Sequence, residues 1–126
     1  MTLSRLLTVA ALAAALGGCA SGIDGMFQNK NKAEQTLTDG IKQYEDGNYA
    51  EAGKSLSAAL DGGLDKVDQV RAHKYLAFIY CVSNREKLCR DEFAKALQID
   101  SNFELKPAEA GHPIWGPVFV SVKSKK

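Results

Sequence analysis

Between Ala33 and Ser101 the chain sets apolar residues three and four positions apart, the spacing of helices that bury one face. Leu37, Ile41 and Tyr44 mark a first stripe, Gly47-Asn48 interrupts it, and Tyr49, Ala52, Leu56, Ala59 and Leu60 resume it. A glycine and an asparagine between two stripes is where a helix ends and the chain reverses. The pattern predicts a helix, a tight turn and a second helix returning antiparallel. The segment VRAHKYLAFIYCVSNREKLCRDEFAKALQIDSN repeats the arrangement, with Leu76, Ile79 and Tyr80 before the break and Leu88, Phe93, Ala96 and Leu97 after it. Tyr44, Tyr49, Tyr75, Phe78, Tyr80 and Phe93 fall at helical spacing, so most of them are expected in the core rather than on a stacking platform.

Both ends of the chain break the period. In FELKPAEAGHPIWGPVFVSVKSKK, Pro107 opens a helical turn through Ala110, Gly111 stops it, and His112 to Gly116 reads as a compact turn. Pro117 then suits the first residue of a last short helix bearing Val118, Phe119 and Val122. On the other side, residues 20–32 are rich in Gly, Asn and Lys without a sustained period and read as a flexible tether, with Met26 and Phe27 able to graze lipid or the first helix.

Ahead of the tether, Arg5 precedes the apolar run Leu6–Leu16, broken by Thr8 alone and too short to span a bilayer. This is the layout of a secretory signal peptide, residues 1–18. Its end, Leu16-Gly17-Gly18-Cys19, resembles a bacterial lipobox, and the glycines suit a backbone that a peptidase must approach closely. The resemblance implies cleavage before Cys19 and lipid on its thiol and amino group; each buried methylene contributes about 0.8 kcal/mol, so several chains anchor durably. Ala20 in place of Asp is similar to the second residue of envelope lipoproteins released to the outer membrane. The rival reading is a signal peptide without lipid.

Charge adds little direction. Sixteen basic residues stand against 15 acidic ones, and the leader takes Arg5 with it. No basic field remains to attract nucleic acid, and the terminal Lys123-Ser124-Lys125-Lys126 reads as a solvated tail. With Cys19 assigned to the anchor, Cys81 and Cys89 form a pair in an oxidising compartment, nearly symmetric about the bend at Asn84-Arg85. A disulfide is the default; reduced thiols are the alternative, and a metal site is poorly served because only His73 and His112 remain as further ligands and neither stands at finger spacing.

Superposing Gly47-Asn48-Tyr49 on Asn84-Arg85-Glu86 sets two units 37 residues apart, close to the period of about 34 residues of tetratricopeptide repeats, with a short insertion at Gly62-Gly63. The first unit resembles that family through Gly40, Gly47, Tyr49, Ala52, Leu56 and Ala59. The second does so through Leu76, Ala77, Tyr80, Phe93, Ala96 and Asp100. The first unit lacks the usual early Trp, and Ser101 stands where a closing Pro is common. The resemblance implies an all-α fold: two antiparallel helix hairpins over residues 33–103, then a capping helix and basic tail over 104–126. Stacked hairpins offer a concave face, expected to carry Leu37, Ile41 and Tyr44 in the first unit and Arg71, Lys74 and Phe78 in the second. Arg71 and Lys74 could meet an acidic peptide or lie on a solvated face; Phe78 stands where the family's clamp for free peptide termini wants Asn. Trp115, Phe119 and Val122 are placed to cover the open end of the array, in preference to a partner-binding hook made by His112 and Trp115.

Lipobox, repeat pair, cysteine pair and the closing PAEAGHPIWGPVF together resemble the small tetratricopeptide lipoproteins of bacterial type VI secretion, the TssQ-like group. That resemblance implies a non-enzymatic scaffold or adaptor at the outer membrane, facing the periplasm. Its partners would be proteins of an envelope secretion complex and the membrane reached by the lipid. No nucleic acid, small-molecule substrate, metal or cofactor beyond the lipid on Cys19 is expected. The same parts suit a pilotin-like lipoprotein that escorts another envelope protein, while an enzyme or cell-wall-binding module finds no acid and base pair to support it.

Overall fold

The computed structural model describes residues 21–125, with side chains from residue 28 onward. The signal peptide, Leu16, Gly17, Gly18, Cys19 and the side chains of Met26 and Phe27 lie outside the described residues. Among those described, the chain is all helical: α1 (Ser21–Glu45), α2 (Tyr49–Asp61), α3 (Lys66–Val82), α4 (Glu86–Ile99), α5 (Pro107–Ala110) and α6 (Trp115–Lys123).

Helices α1 and α2 run antiparallel. A Cβ on Gly40 would stand 3.0 Å from Leu56 Cγ, one on Gly62 would stand 3.0 Å from Ala33 Cβ, and the Ser55 hydroxyl donates to Gln43 Oε1 at 2.7 Å. Helices α3 and α4 pair the same way, through Phe78 and Phe93 with ring centroids 6.1 Å apart and His73 against Glu92.

The two turns are copies. Gly47 donates to Tyr44 O and Asn48 to Gln43 O; 37 residues on, Asn84 donates to Cys81 O and Arg85 to Tyr80 O. This is the Schellman closure of a helix, which needs a left-handed residue just past the end. Gly47 supplies it at φ 83° and Asn84 at φ 62°; asparagine is among the few side chains that tolerate the region. Burial repeats at the same offset: Ala33 matches Val70, Ala52 matches Cys89, Leu56 matches Phe93 and Ala59 matches Ala96, all within the core.

Helix α3 is the wall the two halves share. Ala72, Leu76 and Ile79 join the cluster built on Leu37 and Leu56, while Ala77, Phe78 and Cys81 join the one built on Phe93, Trp115 and Phe119. Asp65 starts this helix by accepting the Asp68 N–H on its side chain, the usual way to satisfy a donor without an intrahelical partner.

Three expectations about position change. Residues 21–32, read as a flexible tether, continue α1. A helix already nucleated by packing extends at one hydrogen bond per residue, and Thr36 Oγ1 donating to Lys32 O with the Lys30–Glu34 pair ties the extension to the packed part. Leu37 is 1% exposed, so it is core rather than groove. Helix α6 begins at Trp115 instead of Pro117. Proline at the third position still falls in the first turn, where its missing N–H breaks no hydrogen bond.

Helices α5 and α6 meet backbone to backbone. A Cβ at Gly116 would lie 2.4 Å from the Ala110 carbonyl oxygen, a contact no rotamer can relieve. Gly116→Ala should therefore cost about 1 to 3 kcal/mol and lower the thermal midpoint by several degrees. An unchanged midpoint would refute the close approach.

Candidate functional site

Of the five residues expected on a partner surface, the structure brings four into one cluster, three of them as stacked rings. Phe78 on α3 is 1% exposed and lies face to face with Trp115, centroids 4.1 Å apart. His112 stacks on the other face of Trp115 at 3.4 Å, and Trp115 Nε1 donates to Glu109 O at 2.9 Å. Lys74, one turn before Phe78, is 6% exposed and its Nζ sits 2.9 Å from Glu109 Oε2 and 4.8 Å from the Tyr75 ring centroid. The side of α3 that carries Lys74 and Phe78 is thus filled by the chain's own residues 109–119 rather than open to a ligand. The indole must find a partner for its N–H, and the ammonium a carboxylate, because both are withdrawn from water.

Aromatic contacts run on from this stack. Phe78 meets Tyr75 at 5.8 Å, Tyr75 meets Tyr44 at 5.1 Å, and Tyr44 reaches Tyr49 at 5.5 Å, so the two halves are joined by a chain of rings. Burial first, then the neighbouring tyrosines, pushes the Tyr44 phenol up to about 12. Burial and then the Glu109 charge raise Tyr75 as well. On the far side Phe119 packs edge-on against Phe93 and Phe103, Arg90 donates to Ser121 Oγ at 3.0 Å, and Lys123 pairs with Glu104.

Arg71 alone of the five keeps an open setting. Its side chain is half exposed and pairs with Asp68 at 2.9 Å. It stands between two shallow depressions. One, of about 410 Å³, is lined by Thr38, Ile41, Lys42 and Glu45; the other, of about 470 Å³, is more apolar and is lined by Val67, Val70, Ile99 and Phe103. Asp68 belongs to a group of three carboxylates with Glu34 and Asp65, their oxygens within 4.8 Å of one another, already drawn on by Arg71 and by the Asp68 N–H.

Cys81 and Cys89 are buried on facing helices with Cα atoms 5.2 Å apart and their sulfurs at bonding distance. Midway along the same helix pair, His73 Nδ1 meets Glu92 Oε2 at 2.6 Å and Lys95 donates to Glu92 Oε1 at 2.9 Å. Burial alone would raise the Glu92 carboxyl, but hydrogen bonds and charge from His73 and Lys95 more than offset it and hold the group below its ordinary value of 4.5. The Glu92 hydrogen bond in turn raises Lys95.

Nothing in the amino-acid pattern marks Glu109 or Glu92 as a buried partner. Glu92 lies 19 residues from His73 and Glu109 lies 35 from Lys74, and surface carboxylates at helical spacing look the same as these two. A lysine in an otherwise apolar stripe, as Lys74 is between Val70 and Phe78, is the one hint that a buried counter-charge is required.

Comparison of the chain with family models, with characterised proteins and with solved structures finds no match.

Two outcomes follow from these ion pairs. Glu109→Gln strands the buried Lys74 ammonium and should cost about 3 kcal/mol, whereas Lys74→Met, which removes the charge and keeps the length, should cost under about 1.5 kcal/mol. Denaturant unfolding of both variants measures the order, and equal losses would show that the pair is not buried as described. The depressed Glu92 gives stability that is fully present above about pH 4.5 and is lost as the pH falls through its lower folded value. Glu92→Gln should accordingly flatten the acid limb of the stability profile, and an unchanged acid limb would remove Glu92 from the account.

Proposed function

We propose that the chain is a lipid-anchored, non-enzymatic adaptor of the bacterial envelope. It is built on two tetratricopeptide-like hairpins and resembles the TssQ-like lipoproteins of type VI secretion. The observation that carries this reading is the 37-residue repetition of one turn geometry and one set of buried positions, which is how an array of helical repeats is made. The lipobox at Leu16-Gly17-Gly18-Cys19 supports the anchor. On this reading acylated Cys19 holds the protein at the periplasmic face of the outer membrane, and the Cys81–Cys89 pair is oxidised there.

The filled side of α3 changes where a partner would touch. Lys74, Phe78 and Trp115 are committed to the cap, so contact falls to the surface around Arg71 and to the outer sides of the helix pairs. In that arrangement the two halves act as one rigid block presented to the secretion machinery.

In-cell crosslinking of the tagged, lipidated chain, followed by mass spectrometry of the outer-membrane fraction, should recover sheath, baseplate or membrane-complex subunits of a secretion system. A secretin or an outer-membrane barrel in their place would replace the adaptor reading with the pilotin-like one. Cys19→Ser should release the protein from the outer membrane, and normal fractionation of that variant would remove the anchor. Turnover of peptidoglycan by the purified chain would overturn the non-enzymatic reading.

A further inference from the structure

A groove of about 490 Å³ runs between α2 and the end of α3, away from both the cap and the Arg71 face. Gly53 on α2 opens it, since a Cβ there would meet nothing within 4 Å. Ile79 belongs to the floor, Tyr49 and Tyr80 stand at the sides, and Lys54 and Arg85 supply charge at the edge. Tyr49 is 40% exposed and is one of the few large apolar side chains so placed.

Arg85 is the unusual member. The other described arginines are paired, Arg71 with Asp68 and Arg90 with Glu86, but Arg85 has neither an ion pair nor a side-chain hydrogen bond among the described residues. Lys54 faces Glu51 at 3.3 Å with both side chains well exposed, a pairing weak enough to exchange for another carboxylate. A guanidinium fork binds a carboxylate on two hydrogen bonds, and tyrosine rings cover an apolar side chain with little entropy to lose.

We propose that this groove docks an acidic segment of a protein partner, with a carboxylate on Arg85 and an apolar or aromatic side chain over Gly53 between Tyr49 and Tyr80. The inference gives the partner's chemistry and rests on the adaptor reading only in taking the ligand to be a protein.

The test is fluorescence anisotropy of a labelled peptide, Glu-Glu-Leu-Phe-Glu-Glu, titrated with the full chain in detergent. Saturable binding is expected, weakened at least about tenfold by Arg85→Glu and by Gly53→Leu, which fills the groove while favouring the helix. The peptide Gln-Gln-Leu-Phe-Gln-Gln should bind at least about tenfold more weakly. Lys32→Glu makes the same change in charge on an exposed residue outside the groove and should leave binding unchanged. No saturable binding to the unaltered chain, equal binding of the glutamine peptide, or an equal loss in Lys32→Glu would each overturn the proposal. Should Arg85→Glu melt early, the folded Gly53→Leu variant decides, and full binding by it would also overturn the proposal. A chain that binds the peptide yet crosslinks to no secretion component keeps the groove and loses the adaptor; the converse result loses the groove alone.

Discussion

Helix α3 must be covered on two opposite flanks, and that constraint organises the molecule. Val70, Ala72, Lys74, Leu76, Ala77, Phe78, Ile79 and Cys81 are all buried along it, which at 3.6 residues per turn puts them on two opposite arcs with Arg71 on the open side between them. Helices α1 and α2 cover one flank and α4 another, leaving the side that carries Lys74 and Phe78. A helix burying both a lysine and a phenylalanine on one face needs a cover that is apolar and carries a carboxylate. The chain provides both in its last twenty residues, as the indole of Trp115 and the side chain of Glu109. The rest of the cap serves to hold that lid in place, from the close approach at Gly116 to the Arg90–Ser121 hydrogen bond.

The parts of this arrangement set by nearby residues could be read from the sequence. Gly47-Asn48 and Asn84-Arg85 punctuate the stripes where the structure turns, and Pro107 and Gly111 bracket a single helical turn as expected. The parts set by distant residues could not be read. Lys74 looks like a groove residue until Glu109 is brought to it across 35 positions of chain. Trp115 looks like either cover or hook until its N–H is found on the Glu109 carbonyl. Pro117 signals a helix start by its missing donor, but any place in the first turn satisfies that condition, so it located α6 only to within two residues. The run before Ala33 has no apolar period because nothing packs on it from residue 28 to residue 32, and a helix carried forward from a packed neighbour leaves no such mark.

Repetition and closure pull against each other here. Two units with the same turn and the same buried positions would ordinarily stack further copies on the open side. Helices α5 and α6 occupy that side with a different kind of surface, aromatic and lysine-bearing. What stays outside is an Arg71 face and a groove edged by Arg85.

The position of Trp115 also sets an order of events during synthesis. It follows Phe78 by 37 residues, so at ordinary translation rates of 5 to 20 residues per second its partner waits about two to seven seconds for cover. During that interval the first helix pair can collapse on its own leucines, while the third helix presents an uncovered phenylalanine beside an unneutralised ammonium. That exposure ends when the last helix arrives and the Trp115 ring stacks on Phe78.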